Sequence, residues 1–241
     1  MNNLKTKKVG EFVAEDYRTA AVFQRNGIDF CCKGGRTIEE ACSTGKISPD
    51  TLLADLNDVL KQSGEPDNDF QLVKLDELAN YIVDKHHRYI EATTPALRQF
   101  LDKLCKVHGS RHPELFEINE LFSRSAGELA AHMKKEELML FPYISRMAQA
   151  NERGEAPEPS PFGTVENPIM MMMHEHESEG NIFEKISELS GGYEAPADGC
   201  TTYRVAYTML KEFEADLHRH IHLENNILFP KAIAMERVAV S

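Results

Sequence analysis

Apolar residues recur every three or four positions over most of this chain, the period of helices that turn one face to a core. Beyond residue 73 the recurrence makes four long stretches. In the first, Leu75, Leu78, Ala79 and Ile82 lead through His86 to Ile90. Thr93-Thr94-Pro95 predicts a kink, after which Leu97, Phe100, Leu101 and Leu104 resume the stripe. The second runs from about Pro113 through Leu121, Leu129 and His132 to Met147. The third runs from Pro168 through Met172, His176, Phe183 and Ile186 to a stop at Gly191-Gly192. The fourth runs from Thr201 through Leu210, Phe213, Leu217, His220 and Glu224 to Met235.

The signals before residue 62 are shorter. Val9, Phe12 and Val13, then Ala20, Val22 and Phe23, predict two short helices that stop at Asn26-Gly27. Thr37-Ile38-Glu39-Glu40 has the form of a capping box. Ser48-Pro49 opens a helix through Leu52, Leu53, Leu56, Val59 and Leu60. No strand pattern stands out. The predicted fold is all-α: a small helical domain over 1–62, a breaker-rich linker over 63–72 and an up-and-down four-helix bundle over 73–241.

Histidines and glutamates sit on the inward stripes of that bundle. His132-Met133-Lys134-Lys135-Glu136 continues through Leu140 to Phe141-Pro142, and His220-Ile221-His222-Leu223-Glu224 continues through Leu228 to Phe229-Pro230. In both copies the Glu follows the His by four residues, which places the two side chains on one helix face about 6 Å apart along the axis. The same rule lines up Ser125, Glu128, His132, Glu136 and Met139 on the second stretch. It puts His86 on the first and His176 on the third, and it turns His87 away from the stripe. His174, His218 and His222 fall on solvated or supporting faces, and Met170 to Met173 read as core packing.

The inward set is therefore His86, His132, Glu136, His176, His220 and Glu224. A lone His on an apolar stripe is usually a hydrogen-bonded core residue. An unpaired carboxylate in a core, however, costs several kcal/mol. Six such groups converging on inward stripes make a metal site the better reading. Imidazole nitrogen and carboxylate oxygen, with no thiolate, favour Fe or Mn over a structural Zn. Glu136 and Glu224 each carry two oxygens and can span two cations about 3.5–4 Å apart.

Composition narrows the remaining classes. The net charge of −12 argues against nucleic acid or an anionic membrane as partner. No apolar run reaches the roughly 18–20 residues of a membrane span, and the start of the chain has no signal-peptide core, so a cytoplasmic protein is expected. Five cysteines without regular spacing fit reduced thiols. Cys31 and Cys32 are adjacent within Asp29-Phe30-Cys31-Cys32-Lys33-Gly34-Gly35, where Lys33 and the glycine-rich backbone would lower a thiolate pKa. They are either a redox-active or iron-binding pair at an exposed turn, or two small residues in a tight turn. Cys42, Cys105 and Cys200 carry no motif and read as structural. Glu175, beside His176, reads as a proton relay or a surface acid.

Taken together, Asp29 to Cys32, His132 to Pro142, Glu175-His176-Glu177 and His220 to Pro230 resemble the di-iron iron–sulfur cluster repair proteins, the repair-of-iron-centres family. The resemblance covers nearly the whole chain. It implies a short N-terminal domain with a vicinal Cys pair and a hemerythrin-like bundle holding two non-haem Fe ions, oxo-bridged and spanned by carboxylates at Glu136 and Glu224. The family's four His positions fall on His86, His132, His176 and His220, its further Glu near the iron on Glu175, and its Cys pair on Cys31 and Cys32.

The function so implied is repair of clusters damaged by nitrosative or oxidative stress, by donation of iron rather than by turnover. The alternatives are a di-iron nitric oxide reductase or peroxide scavenger, and a hemerythrin-type O2 or NO sensor. Damaged iron–sulfur proteins, NO and O2 are the implied partners. An exposed Cys loop is compatible with a homodimer.

Overall fold

The computed structural model describes residues 2–45, 47–61 and 70–239. Helices dominate, and among the described residues the extended pairing is limited to one isolated bridge between Lys8 and Thr37. The helices before residue 62 are α1 (Asn2–Lys5), α2 (Val9–Glu15), α3 (Ala20–Arg25), α4 (Ile38–Gly45) and α5 (Pro49–Lys61). Those beyond residue 73 are α6 (Leu75–Ile82), α7 (Arg88–His108), α8 (Glu114–Lys135), α9 (Phe141–Glu152), α10 (Glu166–Leu189), α11 (Thr201–Leu223) and α12 (Phe229–Ala239).

Local chemistry sets several of these boundaries where the sequence expected them. Glu40 Oε2 accepts from the Thr37 backbone N–H at 2.8 Å, and Thr37 Oγ1 accepts from the Glu40 N–H at 3.2 Å, a closed capping box for α4. α3 ends at Asn26, and Gly27 follows with φ 63°. Gly191 and Gly192, with φ 60° and 74°, end α10. Most of the expected linker, 63–69, lies outside the described residues. α7 runs through Pro95, with Thr94 Oγ1 donating to the Ile90 carbonyl at 2.7 Å.

Among the described residues, three helix-to-helix joins are π turns: Val83–His87 between α6 and α7, Glu136–Leu140 between α8 and α9, and Glu224–Leu228 between α11 and α12. A π turn adds one residue to the ring closed by each hydrogen bond, and such turns cluster at functional sites. The second and third are each followed by Phe-Pro, which gives the sequence repeat a shared backbone. Proline there has no N–H to donate and would clash with a carbonyl in an unbroken α-helix.

The chain divides into two compact units, one of residues 1–79, 144–166 and 219–241 and one of 80–143 and 167–218. The second is a four-helix bundle of antiparallel neighbours. His86 meets Asp216 and His108 meets Cys200, so α7 and α11 run in opposite directions. Asn119 bonds Asp102 and Glu137 bonds His87, which opposes α7 and the α8 end, while Ser125–Glu179 and His132–Glu175 oppose α8 and α10. Phe122, Phe183 and Phe213 fill its middle, with Phe183 stacked on Phe213 at 5.5 Å and Phe122 edge-on to Phe213 at 5.4 Å. Burying each such ring contributes about 1.5–3 kcal/mol.

In the first unit, α2 packs on the Glu224–Leu228 turn, with Val9, Val22, Phe23 and Ile38 fully buried. No helix among the described residues is long and apolar enough to cross a membrane.

Candidate metal centre

Within the second unit, the ligand atoms of His132, Glu136 and His176 all lie within 4.8 Å of one another, and all three residues are buried. His132 Nε2 stands 3.3 Å from Glu136 Oε1 and 3.0 Å from His176 Nε2. The other ring nitrogen of His132, Nδ1, donates to Glu175 Oε2 at 2.7 Å, so the carboxylate fixes the ring and leaves Nε2 with its lone pair facing the group. Lys135 pairs with the other oxygen of Glu175. The hydrogen bond from His132, with Lys135 behind it, outweighs burial and holds the Glu175 carboxyl down to about 2. Glu175 is thus a charged partner of His132 and not a free surface acid.

The π turn at Val83–His87 changes the expected register. The sequence period put His86 inward and turned His87 about 100° away. Both rings are buried, and it is His87 whose Nε2 lies 3.4 Å from Glu136 Oε2. His87 Nδ1 donates to Glu137 Oε1 at 3.0 Å, repeating the His132–Glu175 arrangement. Burial pushes the Glu137 carboxyl up, but bonds from Lys134 and His87 bring it net below its usual value. His86 instead donates through Nδ1 to Asp216 at 3.0 Å and packs against the Tyr81 ring. No sign of this shift stood in the sequence. Periodicity did not carry it: a step of four forward from Ile82 and a step of four back from Ile90 both land on His86.

The Glu136–Leu140 turn has the same effect on its helix. Met139, expected inward, is exposed, and Leu140 takes the buried position. Glu128 is also exposed and does not share the inward stripe. Sequence reasoning passed over Glu179, one turn beyond Glu175. It is buried, accepts from Ser125 Oγ at 2.5 Å, and is pushed up to about 7 by burial. Of the Met170–Met173 run, only Met172 is fully buried, while Met170 and Met171 face solvent.

In the first unit, His220 Nε2 lies 2.9 Å from Glu224 Oε1, and both are fully buried, as the repeat predicted. Of the residues between and after them, His222 was expected on a solvated or supporting face, and Asn225 and Asn226 were assigned no role. His222 is buried rather than solvated, packs near Tyr17 and Phe30, and meets Asn226 Nδ2 through Nδ1 at 3.1 Å. Asn225 and Asn226 both donate to the Cys31 carbonyl, at 3.3 and 3.4 Å, and Asn226 also donates to the Phe30 carbonyl at 3.3 Å. Asn226 sits in a notch that two glycines leave open. A Cβ on Gly10 would stand 2.2 Å from Asn226 Oδ1, and one on Gly34 2.8 Å from it.

The cysteine pair is thus clamped on the turn that carries Glu224. Cys31 and Cys32 Sγ are 3.8 Å apart, and both backbone N–H groups donate to Asp29 Oδ1. The ligand atoms of Asp29, Cys31 and Cys32 lie within 4.8 Å of one another. Two expectations are corrected here. Cys31 is buried, and its thiol is raised, not lowered: the hydrogen bond with Cys32, burial and the nearby Asp29 charge all oppose its ionisation.

Residues 78–232 match the family described as hemerythrin HHE cation binding domain, and residues 5–60 match a domain of unknown function, DUF542. An iron–sulfur cluster repair protein of Staphylococcus haemolyticus, ScdA, is 30% identical over 92% of this chain and 96% of its own length. Two relatives called YtfE, also iron–sulfur cluster repair proteins, are 31% identical in Enterobacter sp. strain 638 and 32% in Dickeya chrysanthemi. Each aligns over 96% of this chain and 99% of its own length. The chain belongs to the family of iron–sulfur cluster repair proteins. Its all-α fold, a hemerythrin-like domain preceded by a helical N-terminal region, is the one expected from sequence.

A cation fits this donor set. Imidazole nitrogens converge on a buried carboxylate, and two of the imidazoles carry a carboxylate on the far nitrogen, as metal-bound histidines usually do.

Proposed function

We propose that this chain repairs iron–sulfur clusters damaged by nitrosative or oxidative stress, by holding two iron ions and surrendering them to the damaged protein. The proposed ligands are His87, His132, Glu136 and His176, together with His220 and Glu224 from the second copy of the repeat. His87 replaces His86 in this set because its Nε2, and not that of His86, meets Glu136. The observation that carries the reading is the buried convergence of His132, His176 and Glu136, backed by Glu175.

The chain's own residues have distinct tasks in this scheme. Glu175 and Glu137 hold His132 and His87 in the tautomer that presents Nε2. Glu136 and Glu224 supply negative charge that compensates cations in a buried setting. Bound iron supplies the exchangeable cargo and redox chemistry. Cys31 and Cys32, with Asp29, offer soft ligands on a loop tied to the Glu224 turn, and we assign them the reception of departing iron. The reduced thiols suit the cytoplasm.

Metal analysis after anaerobic loading of the full chain with ferrous iron tests the scheme. About two irons per chain are expected, as are reactivation of a nitric oxide-damaged [4Fe–4S] enzyme and a lower iron content in Glu136→Gln and Glu224→Gln. Full reactivation by a metal-free Glu136→Gln/Glu224→Gln double variant would overturn it. Sustained reduction of nitric oxide with an electron donor would favour an enzyme instead.

A further inference from the structure

At the other end of the α7–α11 contact, far along both helices from the His86–Asp216 pair, lies a second group of reactive side chains with no part in metal binding. Cys200 is exposed and occupies the N-cap of α11, where its carbonyl accepts from the Tyr203 N–H at 3.0 Å. His108, the last residue of α7, is buried and aims Nε2 at Cys200 Sγ from 3.3 Å. Its Nδ1 has no hydrogen-bond partner among the described residues. The ring is held by edge-on contacts to Tyr203 at 5.4 Å and His112 at 6.4 Å. A buried imidazole fixed by aromatic neighbours and pointed at an exposed sulfur is the geometry of a nucleophile with its base.

The surrounding charges do not oppose an anionic sulfur. Asp198 is taken up by His112 Nε2 and Arg111, each at 3.0 Å, and Glu114 by His112 Nδ1 at 3.2 Å. Arg204 reaches back to the Gly199 carbonyl at 2.9 Å, beside the cysteine. The His108 hydrogen bond, then the N–H groups of the first turn of α11, pull the Cys200 thiol down to about 7. Burial moves Cys42 and Cys105 the other way.

We propose that Cys200 and His108 form a modification site that takes up small-molecule disulfides as a mixed disulfide. His108 accepts the thiol proton, and Cys200 sulfur attacks one sulfur of the disulfide. The reagent's S–S bond breaks as the new one forms, and the leaving thiolate takes the proton back from His108. One thiol and one disulfide enter, and one thiol and one disulfide leave. A thiol with pKa near ambient pH is the best attacker in this exchange, since a lower value sacrifices nucleophilicity and a higher one sacrifices thiolate.

The test treats the full chain with glutathione disulfide and maps adducts by peptide mass spectrometry, in wild type and His108→Gln. Cys200 is expected to be modified ahead of Cys42 and Cys105. At pH 7 the variant should react roughly three- to sixfold more slowly at Cys200, because the thiolate lost outweighs the nucleophilicity regained. Near pH 9.5, where both are ionised, the order should reverse; a merely structural role for His108 gives no such crossover. Should the variant fail to fold, the pH profile of Cys200 alkylation in the unmutated chain decides. A midpoint near 7 supports the pair, and a midpoint above about 8.5, the ordinary cysteine value, overturns it. Modification of Cys42 or Cys105 in preference to Cys200, or parallel pH profiles for the two proteins, also overturns it.

Discussion

The first copy of the repeat, His132–Pro142, and the second, His220–Pro230, close the same π turn after their glutamate and then meet different surroundings. Behind Glu136, Leu138 and Met139 are 73% and 52% exposed. At the matching places behind Glu224, Asn226 is half-buried and Ile227 is 2% exposed. The second copy is covered by the cysteine loop, to which Asn225 and Asn226 donate. The first copy is tied through carboxylates: its His132 and Lys135 pair with Glu175, and its own Glu137 pairs with His87 and Lys134. The two copies share the His and Glu positions, the turn and the Phe-Pro after it. The residues between them decide what the turn supports, and a copy with amides there can seat a loop.

The sharpest way to break this contrast is to fill the notch beside the second copy. In Gly34→Ala the new Cβ would lie 2.4 Å from the Phe30 carbonyl, a backbone atom that cannot swing away, as well as against Asn226. Overpacking of this kind costs about 1–3 kcal/mol. We expect a denaturant midpoint lowered accordingly and faster alkylation of Cys31 as its loop lifts. An unchanged midpoint together with unchanged Cys31 reactivity would mean that the loop is not seated by Asn226.

The first copy should fail by another route. Glu175→Gln keeps the size and the acceptor oxygen but removes the charge behind His132. Loss of such a supporting partner typically costs 10–100-fold in metal affinity, measurable against a competing chelator. The pH dependence follows from the lowered carboxyl. Glu175 ionises near 2 in the folded chain, against an ordinary 4.5. Its stabilisation is therefore complete above the ordinary value and is lost as pH falls from there towards 2. Metal-free wild type should thus outlast the variant at pH 6 and lose that advantage near pH 2. Equal chelator competition at pH 7 would remove Glu175 from the centre.

Most of this architecture was legible because helical periodicity and capping are local. The capping box at Thr37 and the stops at Asn26-Gly27 and Gly191-Gly192 rest on residues at the boundary itself. The stripes of α10 and α11 placed His176, His220 and Glu224 inside correctly. Two of the failures share one cause. A 3.6-residue period was carried across turns that hold one extra residue, which exchanged His86 for His87 beside Glu136 and Met139 for Leu140 in the core. The raised Cys31 thiol was illegible for a different reason. Its burial comes from packing in three dimensions, and the lysine next to it in sequence does not set its surroundings.

The smallest effect is the one that tests whether the first copy is bare by design. If nothing covers Leu138 and Met139 within the chain, then Leu138→Asn and Met139→Gln remove no packed contact. Each should shift stability by no more than about 0.5 kcal/mol, the range of ordinary surface substitutions. Asn226→Ala, at the position matching Leu138, should cost about 1 kcal/mol because the Phe30 and Cys31 carbonyls lose a donor. The pair of measurements is informative in combination. A loss above 1 kcal/mol in Met139→Gln would show that the first turn also bears a load from its own chain. With Met139→Gln silent and Asn226→Ala costly, the two copies share a backbone and a His-to-Glu spacing, and the loop depends on the amides of the second.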